Sequence, residues 1–291
     1  MSYTQPPSTL IRMRYSCRTY EAVPIAAAKR QALAEFAATR QQGPLGTPAR
    51  FALITTTEQD HSALRGLGTY GFIRGATGFI LGAVQRGPHD MPDFGCLLEQ
   101  IVLYATDLGL GTCWLGGTYT RSTFARQIAL DKGEVMPAVI ALGIIARQRS
   151  QVDRGIRRAA QGDRRLPGER LFFDGDFSHP LGEETAGAYA VPLQMVRLGP
   201  SASNKQPWRI VRDGSAWHFY VQRTPGYTRG LARPFVHGDL QRVDMGIAMC
   251  HWELSAAERG LLGSWTVAEP AVVRPDEHTE YVVSWVAAPD A

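Results

Sequence analysis

The residues best equipped for chemistry in this chain are its arginines. Lys29, Lys132 and Lys205 are the only lysines among 31 cationic residues, which leaves 28 arginines. The densest run is Arg147, Arg149, Arg154, Arg157, Arg158, Arg164, Arg165 and Arg170. A nucleic-acid stripe would interleave aromatics for base stacking. This run has none, and Asp153, Asp163 and Glu169 interrupt it, so it reads as a solvated linker holding one or two anion-binding arginines. Two more arginines flank a hydroxyl in Arg14-Tyr15-Ser16-Cys17-Arg18.

Other chemistries lack their parts. The sequence has no HExxH, GxSxG or P-loop, and Cys113 has no base beside it in sequence. Cys17, Cys96, Cys113 and Cys250 form no CxxC, which argues against a structural zinc site and for reduced thiols in a cytoplasmic protein. The seven histidines are isolated, and His251, within an apolar helix, reads as a satisfied core residue. GLGTCWLG at 109–116 is not G-x-G-x-x-G and follows a helix, so it is no dinucleotide fingerprint.

The elements that position these residues repeat. At an offset of 151 residues Asp93-Phe-Gly95 corresponds to Asp244-Met-Gly246, Gly109-Leu110 to Gly260-Leu261, and Trp114 to Trp265. Between these markers both copies read as a long helix, apolar on nearly all faces and therefore buried. Helices are expected over 25–40 and roughly 184–198, each followed by a loop and a strand, with further strands at 78–84, 137–145, 215–221 and 279–286. The stretch 146–168 shows no clear periodicity and reads as the join. With 291 residues, 44% apolar and 20% charged, the chain has material for two domains. No apolar run reaches the ~20 residues of a membrane span, and MSYTQPPSTLIRMRYSCRTY carries no signal-peptide pattern. The pattern predicts an α+β fold with halves at 8–150 and 181–291, joined by 151–180.

Arg14-Tyr-Ser16-Cys-Arg18-Thr-Tyr20 resembles the R-x-S-x-R-x-F opening of the nitroreductase family. Pro200-Ser201-Ala202-Ser203-Asn204-Lys205-Gln206-Pro207-Trp208 is similar to its P-S-S-x-N-x-Q-P-W segment. LGLGTCWLGG and Arg165-Leu-Pro resemble its helix-to-strand segment and its phosphate-binding arginine. The most specific of these motifs is P-S-x-x-N-x-Q-P-W. The resemblance implies a nitroreductase-like fold and an FMN site shared between two subunits. Here R-x-S-x-R occurs only in the first half and P-S-x-x-N only in the second, so the chain resembles a fused, single-chain branch forming an intramolecular pseudo-dimer. The mirror position is expected to fall on LFFDGDF, where Asp174 and Asp176 would repel a phosphate.

On that resemblance Arg14, Tyr15, Ser16, Arg18 and Arg165 bind the phosphate side, guanidinium forks being suited to phosphate. Pro200, Ser201, Ala202 and Asn204 lie at the ring side, Asn204 suiting its amide-like edge. Leu115, Gly116 and Gly117 lie beside flavin N5, with the Gly116 N–H directed at it and no acidic side chain there. Taken alone, Ser201 and Asn204 also suit a capping turn. Trp208 reads as core, and the segment around Tyr70 and Phe72 as either pocket rim or strand lead-in. The implied activity is ping-pong transfer of hydride from NAD(P)H to a nitroaromatic, quinone or enone, by a monomer holding one FMN. The other reading is a flavin-binding, flavin-storing or flavin-modifying protein.

Overall fold

A computed structural model describes residues 2–227 and 238–288. Helix α1 (Pro7–Met13) leads to strand β1 (Tyr20–Glu21) and helix α2 (Ala27–Ala38), whose alanines, Leu33 and Lys29 are strong helix formers. Strands β2 (Ala49–Thr55) and β3 (Gly78–Gln85), helix α3 (Asp90–Asp107), strand β4 (Gly111–Leu115), helix α4 (Arg121–Gln127) and strands β5 (Glu134–Val135) and β6 (Val139–Ile145) follow. After helix α5 (Gln151–Ala159) come β7 (Phe172–Asp174), α6 (Glu183–Ala186), α7 (Ala190–Arg197), β8 (Trp208–Asp213), β9 (Ala216–Gln222), α8 (Leu240–Glu258), β10 (Gly263–Thr266) and β11 (Thr279–Ala287).

The two sheets repeat one topology. In the first, β2, β3, β6 and β4 are successive antiparallel neighbours, with β1 added on β6 and β5 on β3. In the second, β8, β9, β11 and β10 are successive antiparallel neighbours, with β7 added parallel to β8. Two related α/β halves therefore stand in tandem, each with a long helix before its β4 or β10 edge strand.

Those long helices, α3 and α8, meet at the repeated glycines. A Cβ on Gly95 would lie 2.1 Å from the Val243 carbonyl oxygen, and one on Gly246 would lie 2.0 Å from that of Pro92. Only a residue without a side chain lets the backbones approach so closely. Two residues before each glycine an aspartate staples the loop of its own half. Asp93 accepts hydrogen bonds from Leu45 N–H and Thr47 N–H, both at 2.8 Å. Asp244 accepts from Ala202 N–H at 3.0 and 3.1 Å to its two oxygens.

The core is divided among the two faces of the first sheet and the interior of the second half. Into the latter, around Trp208, Trp217 and Trp252, goes α1 with Leu10 and Ile11, although α1 opens the chain. Trp208 is core, as its sequence context suggested.

Three expectations change. The join contains α5, capped by Ser150 Oγ accepting from Asp153 N–H. Its two large apolar residues, Val152 and Ile156, stand at helical i,i+4 spacing but are too few to reveal a helix. The predicted helix over 184–198 is broken at Gly187, whose φ of +53° no right-handed helix accommodates. LFFDGDF is not at the mirror position: β7 pairs with β8, at the opposite sheet edge from β10. Asp174 there faces Arg212 at 3.7 Å, and Asp176 faces His179 at 2.8 Å.

Candidate functional site

Two adjoining cavities lie where the halves meet, of about 570 Å³ and 280 Å³. Both are lined by Ser16, Arg18, Pro200, Ser201 and Ser203. The larger has apolar and aromatic walls and falls in the size range of small-molecule sites. Its walls come from Trp114 on β4, from Gly116 and Gly117 after it, and from Leu240, Val243 and Ile247 on α8. Tyr70, Phe72 and Tyr227 also line it. The smaller gathers Arg12, Arg14, Arg18, Arg157 and Arg165 around one carboxylate, Asp163.

The segment Arg14–Arg18 is held as an extended strand against β4, Cys17 N–H donating to the Thr112 carbonyl at 2.8 Å. Alternation along it sends Tyr15 outward, where Arg149 and Arg157 stack on its ring at 5.2 and 5.8 Å. Arg18 Nη1 lies 3.5 Å from the Asp153 carboxylate, so the unforeseen helix α5 supplies a partner to the site. Arg14 is buried, and burial works against its charge while Glu99 supports it. Burial works against the Arg165 charge too, and Arg14 nearby adds to this. The Nε of each arginine is buried without a hydrogen-bond partner.

Glu99 of α3 connects both cavities. One oxygen accepts from Trp114 Nε1 at 2.8 Å; the other lies 3.0 Å from His251 Nε2 and 3.7 Å from Arg14 Nε. His251, completely buried, reaches the Met195 carbonyl through Nδ1 at 2.9 Å.

The loop after α7 is strained. Ser203, Asn204 and Gln206 have φ of +51°, +55° and +51°, a left-handed backbone uncommon for residues other than glycine. Side chains hold it there: Ser201 Oγ accepts from Gln206 N–H at 2.8 Å, and Gln206 Oε1 accepts from Leu166 N–H at 2.8 Å. Strain that the surroundings enforce is a mark of functional loops.

The structure brings Ser16, Arg18, Gly116, Gly117, Pro200, Ser201 and Ala202 to the larger cavity, and Arg14, Tyr15, Arg165 and Asn204 to the smaller. It departs from the reading at Leu115, and it sets Asn204 and Gly116 in surroundings that the sequence did not show. Asn204 lines the smaller cavity and not the larger: its amide donates to the Gln161 and Arg164 carbonyls at 2.8 and 3.0 Å, and its oxygen accepts from Arg165 at 3.3 Å. It clamps the arginine-rich turn onto the loop. Leu115 lines neither cavity, since its side chain alternates into the core beneath β4. At Gly116 a Cβ would lie 2.6 Å from Leu240 Cδ1, so α8 fills the space of a side chain.

Sequence reasoning missed Trp114, Leu240, Val243 and Ile247 as site residues because apolar residues on buried elements read as core. Arg157 was visible only as one arginine of a dense run. Tyr70 and Phe72 had been placed on either the rim or a strand lead-in, and they line the cavity.

A sequence model of the family described as "Putative TM nitroreductase" matches residues 8–256. A crystal structure of a "putative nitroreductase" from Thermotoga maritima superposes with a TM-score of 0.60 at 17% identity, covering 99% of this chain and 97% of that one. A nitroreductase family protein from Clostridium difficile aligns at 18% identity and TM-score 0.40, over 57% of this chain and 94% of its own. A "putative nitroreductase" in complex with FMN from Desulfovibrio desulfuricans aligns at 24% identity and TM-score 0.37, over 51% and 94%. No curated protein matches. Among the described residues no helix is long and apolar enough to cross a membrane. The family match covers most of the chain and the Thermotoga structure shares its fold: the chain belongs to the nitroreductase family described as "Putative TM nitroreductase", and with it to the oxidoreductases.

Proposed function

We propose that the protein is an FMN-dependent oxidoreductase that takes hydride from NAD(P)H and passes it, by ping-pong exchange, to an electron-poor small molecule such as a nitroaromatic, quinone or enone. The observation carrying this is the union of an arginine-lined cavity with an aromatic-walled one through shared residues of both halves. The residues suit the group. A buried guanidinium nitrogen, Arg165 Nε, has no hydrogen-bond partner, and five arginines in that cavity face one carboxylate. Phosphate would fill that deficit, and the larger cavity has the volume and apolar character for a planar ring.

When bound, FMN supplies the hydride chemistry that no side chain of this chain offers. Arg14, Arg18, Arg165 and the Ser16 hydroxyl hold its phosphate. Pro200, Ser201 and Ala202 bound its ring from the second half, and Gly116 and Gly117 present backbone N–H groups from the first. Leu240, against Gly116, keeps water from that side. The chain would divide into halves at 8–150 and 181–291 joined by 151–180, acting as an intramolecular pseudo-dimer that is a monomer in solution with one FMN.

Purified protein given FMN and freed of excess is expected to be yellow, with one FMN per monomer by absorbance and light scattering. Anaerobic NADH or NADPH is expected to bleach it, and an acceptor to restore the colour. A colourless product refutes flavin binding. Two FMN per chain, or binding only in a dimer, refutes the half-and-half site, and flavin that stays yellow under both nicotinamides assigns a binding rather than an oxidoreductase role.

A further inference from the structure

The cluster of Arg14, Glu99 and His251 contains a proton that its geometry requires. His251 Nδ1 faces a carbonyl oxygen, that of Met195, at 2.9 Å, so Nδ1 must donate. Nε2 faces Glu99 Oε1 at 3.0 Å. A neutral imidazole has one donor and one acceptor nitrogen, so with Nδ1 donating, Nε2 would present a lone pair to a carboxylate. Both groups are completely buried, where two facing acceptors without a proton are costly. Trp114 Nε1 donates to the other Glu99 oxygen and Arg14 Nε lies 3.7 Å from the first, both favouring carboxylate. One proton must therefore lie between Nε2 and Oε1, and the Trp114 and Arg14 contacts favour its place on His251.

The charge count follows. Glu99 and the His251 imidazolium cancel, leaving the Arg14 charge whole. Burial drives the neighbouring Cys250 thiol and Tyr3 hydroxyl upward, so both stay neutral and do not enter the sum. Without the proton on His251, Glu99 would cancel Arg14 instead.

We propose that Glu99 and His251 are positioning residues of the arginine-lined cavity: Glu99 orients Arg14, and the imidazolium of His251 cancels Glu99 so that Arg14 keeps its charge for a phosphate. The partners span the fold, Arg14 following α1, Glu99 lying on α3 and His251 on α8. The inference rests on the FMN reading above, with flavin phosphate as the anion.

Charge balance makes an unusual demand on variants. His251→Gln leaves the Arg14–Glu99 pair neutral, so FMN is expected to bind about tenfold more weakly, the loss of part of a charge-assisted contact. Riboflavin, which has the ring and no phosphate, is expected to change less than about twofold because its contacts are uncharged. Adding Glu99→Gln to His251→Gln restores the net charge, so the double variant is expected to recover to within about threefold of the parent for FMN. Fluorescence titration of both flavins against all proteins reads these outcomes. Unchanged FMN affinity in His251→Gln, a parallel loss of FMN and riboflavin, or a double variant no better than the single one overturns the proposal. Should His251→Gln fail to fold, nitrogen NMR of histidine-labelled parent protein decides: both His251 ring nitrogens protonated supports it, and one bare nitrogen overturns it. Parent protein that binds no FMN refutes the FMN reading itself, an outcome separate from all of these.

Discussion

The loops before β2 and β8 begin alike and diverge within two residues. Gly43-Pro44 opens the first and Gly199-Pro200 the second, and each is stapled by the aspartate of its own long helix. The first closes at once: Gly43 N–H donates to the Thr47 carbonyl at 3.0 Å, and Asp93 takes two backbone N–H groups. The second carries three more residues before its proline, and Asp244 takes one N–H. The remainder turns left-handed at Ser203, Asn204 and Gln206 and lines both cavities. One scaffold thus gives a tight turn in one half and a site wall in the other. The comparison teaches that the helix and its staple are common to both halves, and that the longer loop brings its half to the cavities.

The most severe way to break this asymmetry is charge reversal on the built side. Arg18→Glu is expected to weaken FMN binding more than a hundredfold by equilibrium dialysis, since one charge-assisted contact is worth ~1.5–3 kcal/mol and the reversal adds repulsion. An affinity within threefold of the parent would remove Arg18 from the site.

The crossing shared by both halves should respond symmetrically. Gly95→Ala and Gly246→Ala each force a methyl to within about 2 Å of a backbone oxygen of the other helix. Each is expected to lower urea-unfolding stability by ~1–3 kcal/mol, the usual range for overpacking. A cost at only one of them would contradict the pseudo-symmetric crossing.

The staples give the smallest and sharpest contrast. Burial pushes the Asp244 carboxyl well above the usual carboxylate range, opposed by the Ala202 N–H. Burial also raises Asp93, opposed first by the Leu45 N–H. A raised native value means the folded state holds its proton where the unfolded chain has lost it, so stability falls as pH rises above the unfolded carboxylate value. The decline ends at the native value. Asp244→Asn is expected to flatten the stability profile upward from that unfolded value, and Asp93→Asn to flatten it over a narrower interval. Denaturant titrations at stepped pH would read this, and equal effects of both substitutions would deny the difference between the loops.

Much of the scaffold was legible. The 151-residue offset linked Asp93 with Asp244 and Trp114 with Trp265, and the structure gives both members of each pair equivalent places. Strands such as 78–84 and 279–286 each extend one residue further than read, because alternation weakens where a strand frays. The arginines converged because their motif order reflects chain order at one seam. The partners of Asn204 were not legible because they depend on a left-handed turn that propensity does not encode. Leu240, Val243 and Ile247 were invisible as site residues, since an apolar helix face looks the same whether it meets core or cavity.

Helix α1 places Leu10 and Ile11 in the core of the second half, and Ser8 bonds to Glu258, 250 residues away. The arginine segment that follows α1 is therefore tethered at one end to the last helix of the chain. During synthesis Arg14 and Arg18 emerge first, yet the larger cavity, which Arg18 also lines, waits for the residues of α8. Contacts of such sequence separation form late in folding, after shorter loops have paid their entropy. A chain stalled before residue 240 therefore lacks both the Leu240, Val243 and Ile247 wall of the larger cavity and the helix that anchors α1.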